Sequence, residues 1–410
     1  MHLLSKNIRE NLARIWPFFG LGLASQVPVN LIGGTLKYWF RTQGVDLGKI
    51  GLFGLVLIPF TLKFLWAPFI DRINLPGATR FGRKKLWGLL AQILLMYCLF
   101  LLSMANPAAD LIWIFGICLT IAFATATEDI VIDALRIDTL EGDSLKAGTS
   151  AYQLGARIGM LSAVAGMIFL SAKTSWQFAY QASIFLIVIG FLSLCGVREK
   201  KAEVKPINFK ELIIDPFKDL VVRNKHFGLL CIFVVCYKLC NGVLGPMAYP
   251  FYYDVGFTAE QISIVSGTFG VFVTMFGVVL GGWAMLKIPY RPLLFGLGFI
   301  EIFTSLAFAG LALAGPSVPL FYAVILFDNI LAGMGGAVWV AYLSSLCNRQ
   351  FSGTQYSFLT ALNMVPLSVI ASSGGVLAKL MGWPLFFVFT GILMIPALIL
   401  IRATNLVPDK

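Results

Sequence analysis

Inside a long apolar run stand Thr127, Glu128 and Asp129, followed after three aliphatic residues by Asp133. A charged side chain at the centre of a bilayer costs about 2.5–3.5 kcal/mol on insertion scales, so charges kept there face the protein interior or a watery cavity. Asp129 and Asp133 are four residues apart, which on a helix puts them on one face, about 6 Å apart along the axis. Neighbouring carboxylates can share a proton, because each disfavours ionisation of the other. Asp129, Asp133 and Glu128 are therefore the candidates for proton coupling. A blander role for Asp133 is a wet helix-end residue paired with Arg136.

Other ionisable residues fall inside apolar runs: Lys63, Arg157, Lys238, Glu301 and Asp328. Mid-membrane Arg157 and Lys238 suit an anionic solute or a buried carboxylate. Arg157 alternatively pairs with Asp129 and merely orders the bundle, and Lys238 alternatively snorkels outward. Glu301 and Asp328 are candidate coupling sites in the second half, with a packed, protonated acid as the alternative for each, and no second cluster matches the density of the 127–133 group. Gln26, Asn30, Lys63, Tyr152, Arg157, Lys238, Asn241 and Asp328 form the expected substrate or charge network. Tyr38, Trp39, Tyr152, Trp339 and Tyr342 are candidates for stacking on sugar rings. Asp71, Arg72 and Arg83 lie in a short basic stretch between two apolar runs, where such pairs can hold a gate or simply set topology.

The elements that must position these groups follow from composition. Hydrophobic residues make up 58% of the 410 and charged residues 12%, against about 25% charged in soluble chains. The net charge of +11 is no nucleic-acid signature, because the basic residues sit in short segments between apolar runs. Six of the seven cysteines lie in those runs, no C-x-x-C pair occurs, and there are two histidines, so neither a metal site nor a disulfide framework is expected. No nucleophile–base or metal motif points to an enzyme, and no cofactor is implied.

A spanning helix needs about 20 apolar residues. Twelve runs qualify: 15–38, 47–70, 86–104, 109–133, 147–171, 176–197, 226–252, 258–284, 290–311, 316–343, 353–377 and 382–402. The first run lacks a small-x-small cleavage site and reads as a span, not a removed signal. With the N-terminus inside, 23 Lys and Arg are cytoplasmic and 5 are outside, so both termini are expected in the cytoplasm. Gly148-Thr149-Ser150 recurs as Gly353-Thr354-Gln355, 205 residues on, as parallel halves would require. The expected fold is all-α and polytopic: a six-helix bundle 1–197, a cytoplasmic loop 198–225, a second bundle 226–402 and a tail 403–410.

Five stretches carry a resemblance. They are Gly33-Gly34-Thr35-Leu36; Lys63-Phe64-Leu65-Trp66-Ala67-Pro68 with Asp71-Arg72; Asp129-Ile130-Val131-Ile132-Asp133-Ala134; Tyr237-Lys238-Leu239 with Asp254-Val255-Gly256-Phe257; and Gly353-Thr354-Gln355-Tyr356. With them the chain resembles the major facilitator superfamily and, within it, the AmpG anhydromuropeptide permeases. The resemblance implies proton-coupled import of anhydromuramyl peptides for cell-wall recycling across a bacterial inner membrane; separately, membrane lipid is an expected partner and a monomer the expected working unit. It places proton coupling at Asp129 and Asp133 and a basic position at Lys238. The chain departs from the family at Glu128, where Gln is frequent, and at Cys240 and Asn241. Ferric-siderophore importers of the same superfamily share parts of the pattern, acetyl-CoA transporters are related, and a non-transporting membrane sensor or scaffold is the alternative of another class.

Overall fold

The computed structural model describes residues 2–45, 49, 53–107, 109–199, 209–404 and 407, with backbone alone at 2–13, 41, 54, 79, 209–213, 259 and 365–373. The opening of the second expected span, the loop segment 200–208 and most of the expected tail lie outside the described residues.

Every regular element described is helical. Among the described residues, ten helices are long and apolar enough to cross a membrane: Arg14–Phe40, Arg83–Ser103, Leu111–Thr139, Gly142–Lys173, Trp176–Gly196, Phe227–Val255, Glu260–Lys287, Tyr290–Ala314, Val318–Leu346 and Gly374–Ala403. The chain is an all-α polytopic membrane protein. Large apolar side chains such as Ile112, Phe185 and Phe272 face outward, as a lipid solvent allows.

Three of the expected runs take an irregular form. The 47–70 run is broken, among its described residues, into a 3-10 turn Phe53–Leu57, a helix Ile58–Leu62, a second 3-10 turn Lys63–Leu65 and a helix Ala67–Arg72. Pro59 and Pro68 each sit in the first turn of a helical piece, where a missing N–H costs nothing. The 353–377 and 382–402 runs lie in a single run Ser352–Ile392 and the following Ile395–Ala403. Gly382 interrupts that run at φ +71°, a backbone conformation a side chain rarely permits.

The chain forms two compact units, one of 1–218 with 344–358 and one of 219–343 with 359–410. In the first unit, helix His2–Asn30 packs closely along Gly142–Leu161. A Cβ at Gly155 would stand 2.0 Å from the Phe19 carbonyl oxygen, and one at Gly159 would stand 2.1 Å from that of Leu23. In lipid, where apolar surface gains little by leaving the solvent, such small-residue seams supply much of the attraction between helices. Further along the same pair, π-helical turns at Leu31–Thr35 and Ser162–Gly166 are joined by a 2.7 Å hydrogen bond from the Thr35 hydroxyl to the Ala163 carbonyl. The second unit has its own seam, where a Cβ at Gly333 would meet the Thr274 carbonyl at 2.2 Å. Beside it lies an aromatic core of Phe251, Tyr252, Phe308, Phe321, Phe386 and Phe387.

Gly155→Ala should therefore force two backbones apart and lower stability by about 1–3 kcal/mol. Gly116→Ala, on a helix face with nothing within 4 Å, should be neutral or stabilising by up to about 1 kcal/mol. Thermal midpoints in detergent compare the two.

Candidate functional site

Helix Leu111–Thr139 supplies the acids, and the broken segment before it supplies their cation. The turn Lys63–Leu65 delivers Lys63 to Asp129, with which it forms an ion pair, and to Asp133 at 3.8 Å. Trp66, three residues on, ties the segment to the same helix through its indole N–H, which donates to Thr127 at 3.1 Å. Asp133 also receives Arg136 at 2.8 Å, one turn along its own helix. The Tyr152 hydroxyl donates to Asp129 at 3.3 Å and meets Ser25 at 3.4 Å. Two acids and two cations thus neutralise one another across helix Leu111–Thr139 and the turn Lys63–Leu65. Lys63 is 9% exposed and Arg136 fully buried by side chain.

Arg136 also reaches beyond the acids. Its guanidinium lies 5.1 Å from the Tyr152 ring and 5.4 Å from the Tyr356 ring, and it donates to Ser344 at 3.3 Å. The membrane charges are therefore wired to segment 344–358. The same segment is held again at its helix start. Asp71 accepts from the Thr354 amide and hydroxyl, both at 2.7 Å, and from the Gly353 amide at 3.3 Å. A carboxylate suits a helix N-terminus, where amides are unsatisfied and the dipole is positive. Lys84, 1% exposed, bridges Asp71 at 3.1 Å, Asp138 at 2.7 Å and Ser352 at 2.7 Å. Glu141 pairs with Arg349. Nearby, Glu199 caps helix Arg83–Ser103 by accepting the Lys84 and Lys85 amides. Burial pushes its carboxyl up, and those amides pull it back.

The expected residues separate accordingly. Asp129, Asp133, Lys63 and Tyr152 come together. Arg157 does not join Asp129, whose cation is Lys63, and it has no ion pair or hydrogen bond among the described residues. Glu128 turns away from the network: fully buried, it receives the Gln92 amide at 2.7 Å, while its second oxygen and the Gln92 oxygen are unpartnered. Asn30 bonds the Gln26 carbonyl one turn back. At the gate Asp71 is central, but Lys84 occupies the place expected of Arg83, and Arg72 lies over the Phe351 ring at 5.2 Å. Sequence reasoning missed Lys84, Asp138, Ser352 and Gln92. The basic run around Arg83 signalled Lys84; nothing local signalled Gln92. Trp39 stacks on Trp176 and Trp339 on Tyr237, so those faces are occupied.

In the second unit, packing assembles a group that sequence spacing did not suggest. Lys238 and Asn241, with Tyr237, and Glu301 from helix Tyr290–Ala314 line a cavity of about 20 Å³. Asp328 lies within electrostatic reach of Glu301.

Lys63→Met should leave two buried acids with one cation and cost about 3–5 kcal/mol; adding Asp129→Asn should recover much of the loss. Glu128→Gln, of the same shape, should be close to neutral, whereas Glu128→Ala should strand the Gln92 amide. A thermal double-mutant cycle checks all four.

A family described as acetyl-coenzyme A transporter 1 matches residues 18–109. The AmpG 4 protein of Rickettsia felis is 31% identical over 400 residues, covering 96% of this chain and 96% of its own. The anhydromuropeptide permease of Escherichia coli K12 is 31% identical over 384 residues, 93% of this chain and 77% of its own. In structure, the E. coli fucose:proton symporter superposes with a TM-score of 0.70 at 14% identity, over 97% of this chain and 98% of that one.

Proposed function

The chain belongs to the AmpG-related family of major facilitator transporters, and we propose that it imports anhydromuropeptides into a bacterial cell by proton symport. The observation that carries this reading is the identity to a permease of that substrate class along nearly the whole chain. The proposed frame is twelve spans in the inner membrane, as six-helix halves 1–197 and 226–402 around a cytoplasmic loop 198–225, with both termini and the 403–410 tail cytoplasmic. The kinked run at Gly382 and the broken segment at Lys63 supply the spans that simple length does not separate.

In this reading Asp129 and Asp133 take the proton. Protonation of either removes a negative charge facing Lys63, and at Asp133 it also frees Arg136. Arg136 then holds Ser344 and Tyr356 differently, so proton binding alters the grip on segment 344–358. Asp71, Lys84 and Asp138 form the latch on that segment, with Arg72 and Arg83 flanking it. Glu128 keeps its proton, since an ionised carboxylate with an amide for its partner is costly in a dry bundle. It braces the helix pair with Gln92. The unpaired Arg157 guanidinium, with Gln26 and Asn30, is available to an anionic peptide; a carboxylate is the ligand that its planar fork matches.

Proteoliposomes given an inward proton gradient should accumulate labelled anhydromuropeptide saturably, with the uptake abolished by a protonophore and reduced at least tenfold in Asp129→Asn. Arg157→Gln should raise the half-saturation concentration more than it lowers the maximal rate. A ferric siderophore run in parallel tests the competing substrate class, and its uptake in place of the muropeptide would overturn the assignment.

A further inference from the structure

The two units differ in how their membrane-buried charges balance. In the first, Lys63 and Arg136 answer Asp129 and Asp133 one for one, while Glu128 meets only the Gln92 amide and Arg157 has no ion pair among the described residues. In the second, helices Phe227–Val255, Glu260–Lys287, Tyr290–Ala314 and Val318–Leu346 hold three acidic or basic residues away from their ends: Lys238, Glu301 and Asp328. Lys379 is exposed beside the Gly382 kink, and residues 365–373 contain no ionisable side chain. Two acids therefore share one cation. An uncompensated carboxylate in a bilayer-embedded bundle is neutralised by binding a cation or a proton.

The geometry brings these groups to one place. Lys238 and Asn241 are three apart on one helix face, Glu301 follows Leu297 and Gly298 on a second, and Asp328 precedes Leu331, Ala332 and Gly335 at intervals of three, four and seven on a third. All of these but Asp328 line the 20 Å³ cavity, which exceeds the roughly 10–15 Å³ one water needs. Glu301 is 8% exposed, whereas Asp328 is partly exposed. The other titratable groups nearby are Tyr237 and Cys240 beside Glu301 and Tyr252 within electrostatic reach of Asp328; Met394, from the last helical stretch, brings none.

We propose that Glu301 and Asp328 hold one exchangeable proton between them, with Lys238 as the fixed counter-charge, forming a second protonation site for transport that rests on the proton-symport reading above. The proton moves between Asp328 and Glu301, and the cavity beside Glu301 has room for one water. A metal cation is disfavoured, because the Lys238 ammonium shares the cavity and repels it.

Infrared difference spectra of the purified full chain in lipid test this without any substrate. In a Glu128→Gln background, which removes the protonated Glu128 carboxyl, Glu301→Gln and Asp328→Asn should each delete one protonated-carboxyl carbonyl band, since the remaining acid then pairs with Lys238. Lys238→Met should add one, because both acids must then be neutral. Asp129→Asn should leave the band unchanged. Survival of the band in both acid variants, or no gain in Lys238→Met, overturns the site. Deletion of the band with unchanged proton-driven accumulation overturns its transport role. Absence of muropeptide flux in the wild type would instead count against the proposed substrate and leave the spectral result standing.

Discussion

A charge that stays inside a lipid-embedded bundle needs a counter-charge, a proton or a watery cavity, because the bilayer offers no water to screen it. Much of this structure follows from that demand. Lys63 requires a segment irregular enough to turn it toward Asp129, and the two 3-10 turns around Ile58–Leu62 provide the bend. Lys84 is almost wholly buried, and its burial is possible because Asp71, Asp138 and Ser352 surround it. Where the charges do not balance, as around Glu301, a proton becomes the missing partner.

The same neutralisation joins places far apart in sequence. Arg136 is held by Asp133 on one side and meets Ser344 and Tyr356 on the other. A change of protonation at the acid therefore alters the forces on a segment more than 200 residues away in sequence. Glycine makes such arrangements tight: the seam at Gly155 and Gly159 lets the helix carrying Tyr152 lie close enough to the first helix for the Tyr152 hydroxyl to meet Ser25. A side chain at either glycine would move the tyrosine that bonds Asp129. Packing and electrostatics are thus linked through the distance between two backbones.

The sequence by itself determined the class of protein. Its apolar runs, set against so few charges, leave only a helical membrane protein, because backbone groups in lipid must be satisfied within a helix. It also singled out Lys63, Asp129 and Asp133, which the fold brings together, since an ionisable side chain in an apolar run is conspicuous wherever the helix points. Asp129 and Asp133 were legible as a pair because four residues make about one turn. The tertiary structure decided the partners. Helix rotation cannot be read from a run that is apolar all round, so Asp129 was open to Arg157 as much as to Lys63. Which member of the Arg83-Lys84-Lys85 run enters the latch was equally open, because each step in a helix turns the side chain by about 100°. Gln92 with Glu128, and Lys238 with Glu301, join residues dozens of positions apart, and only the packing of one helix on another brings such pairs within reach.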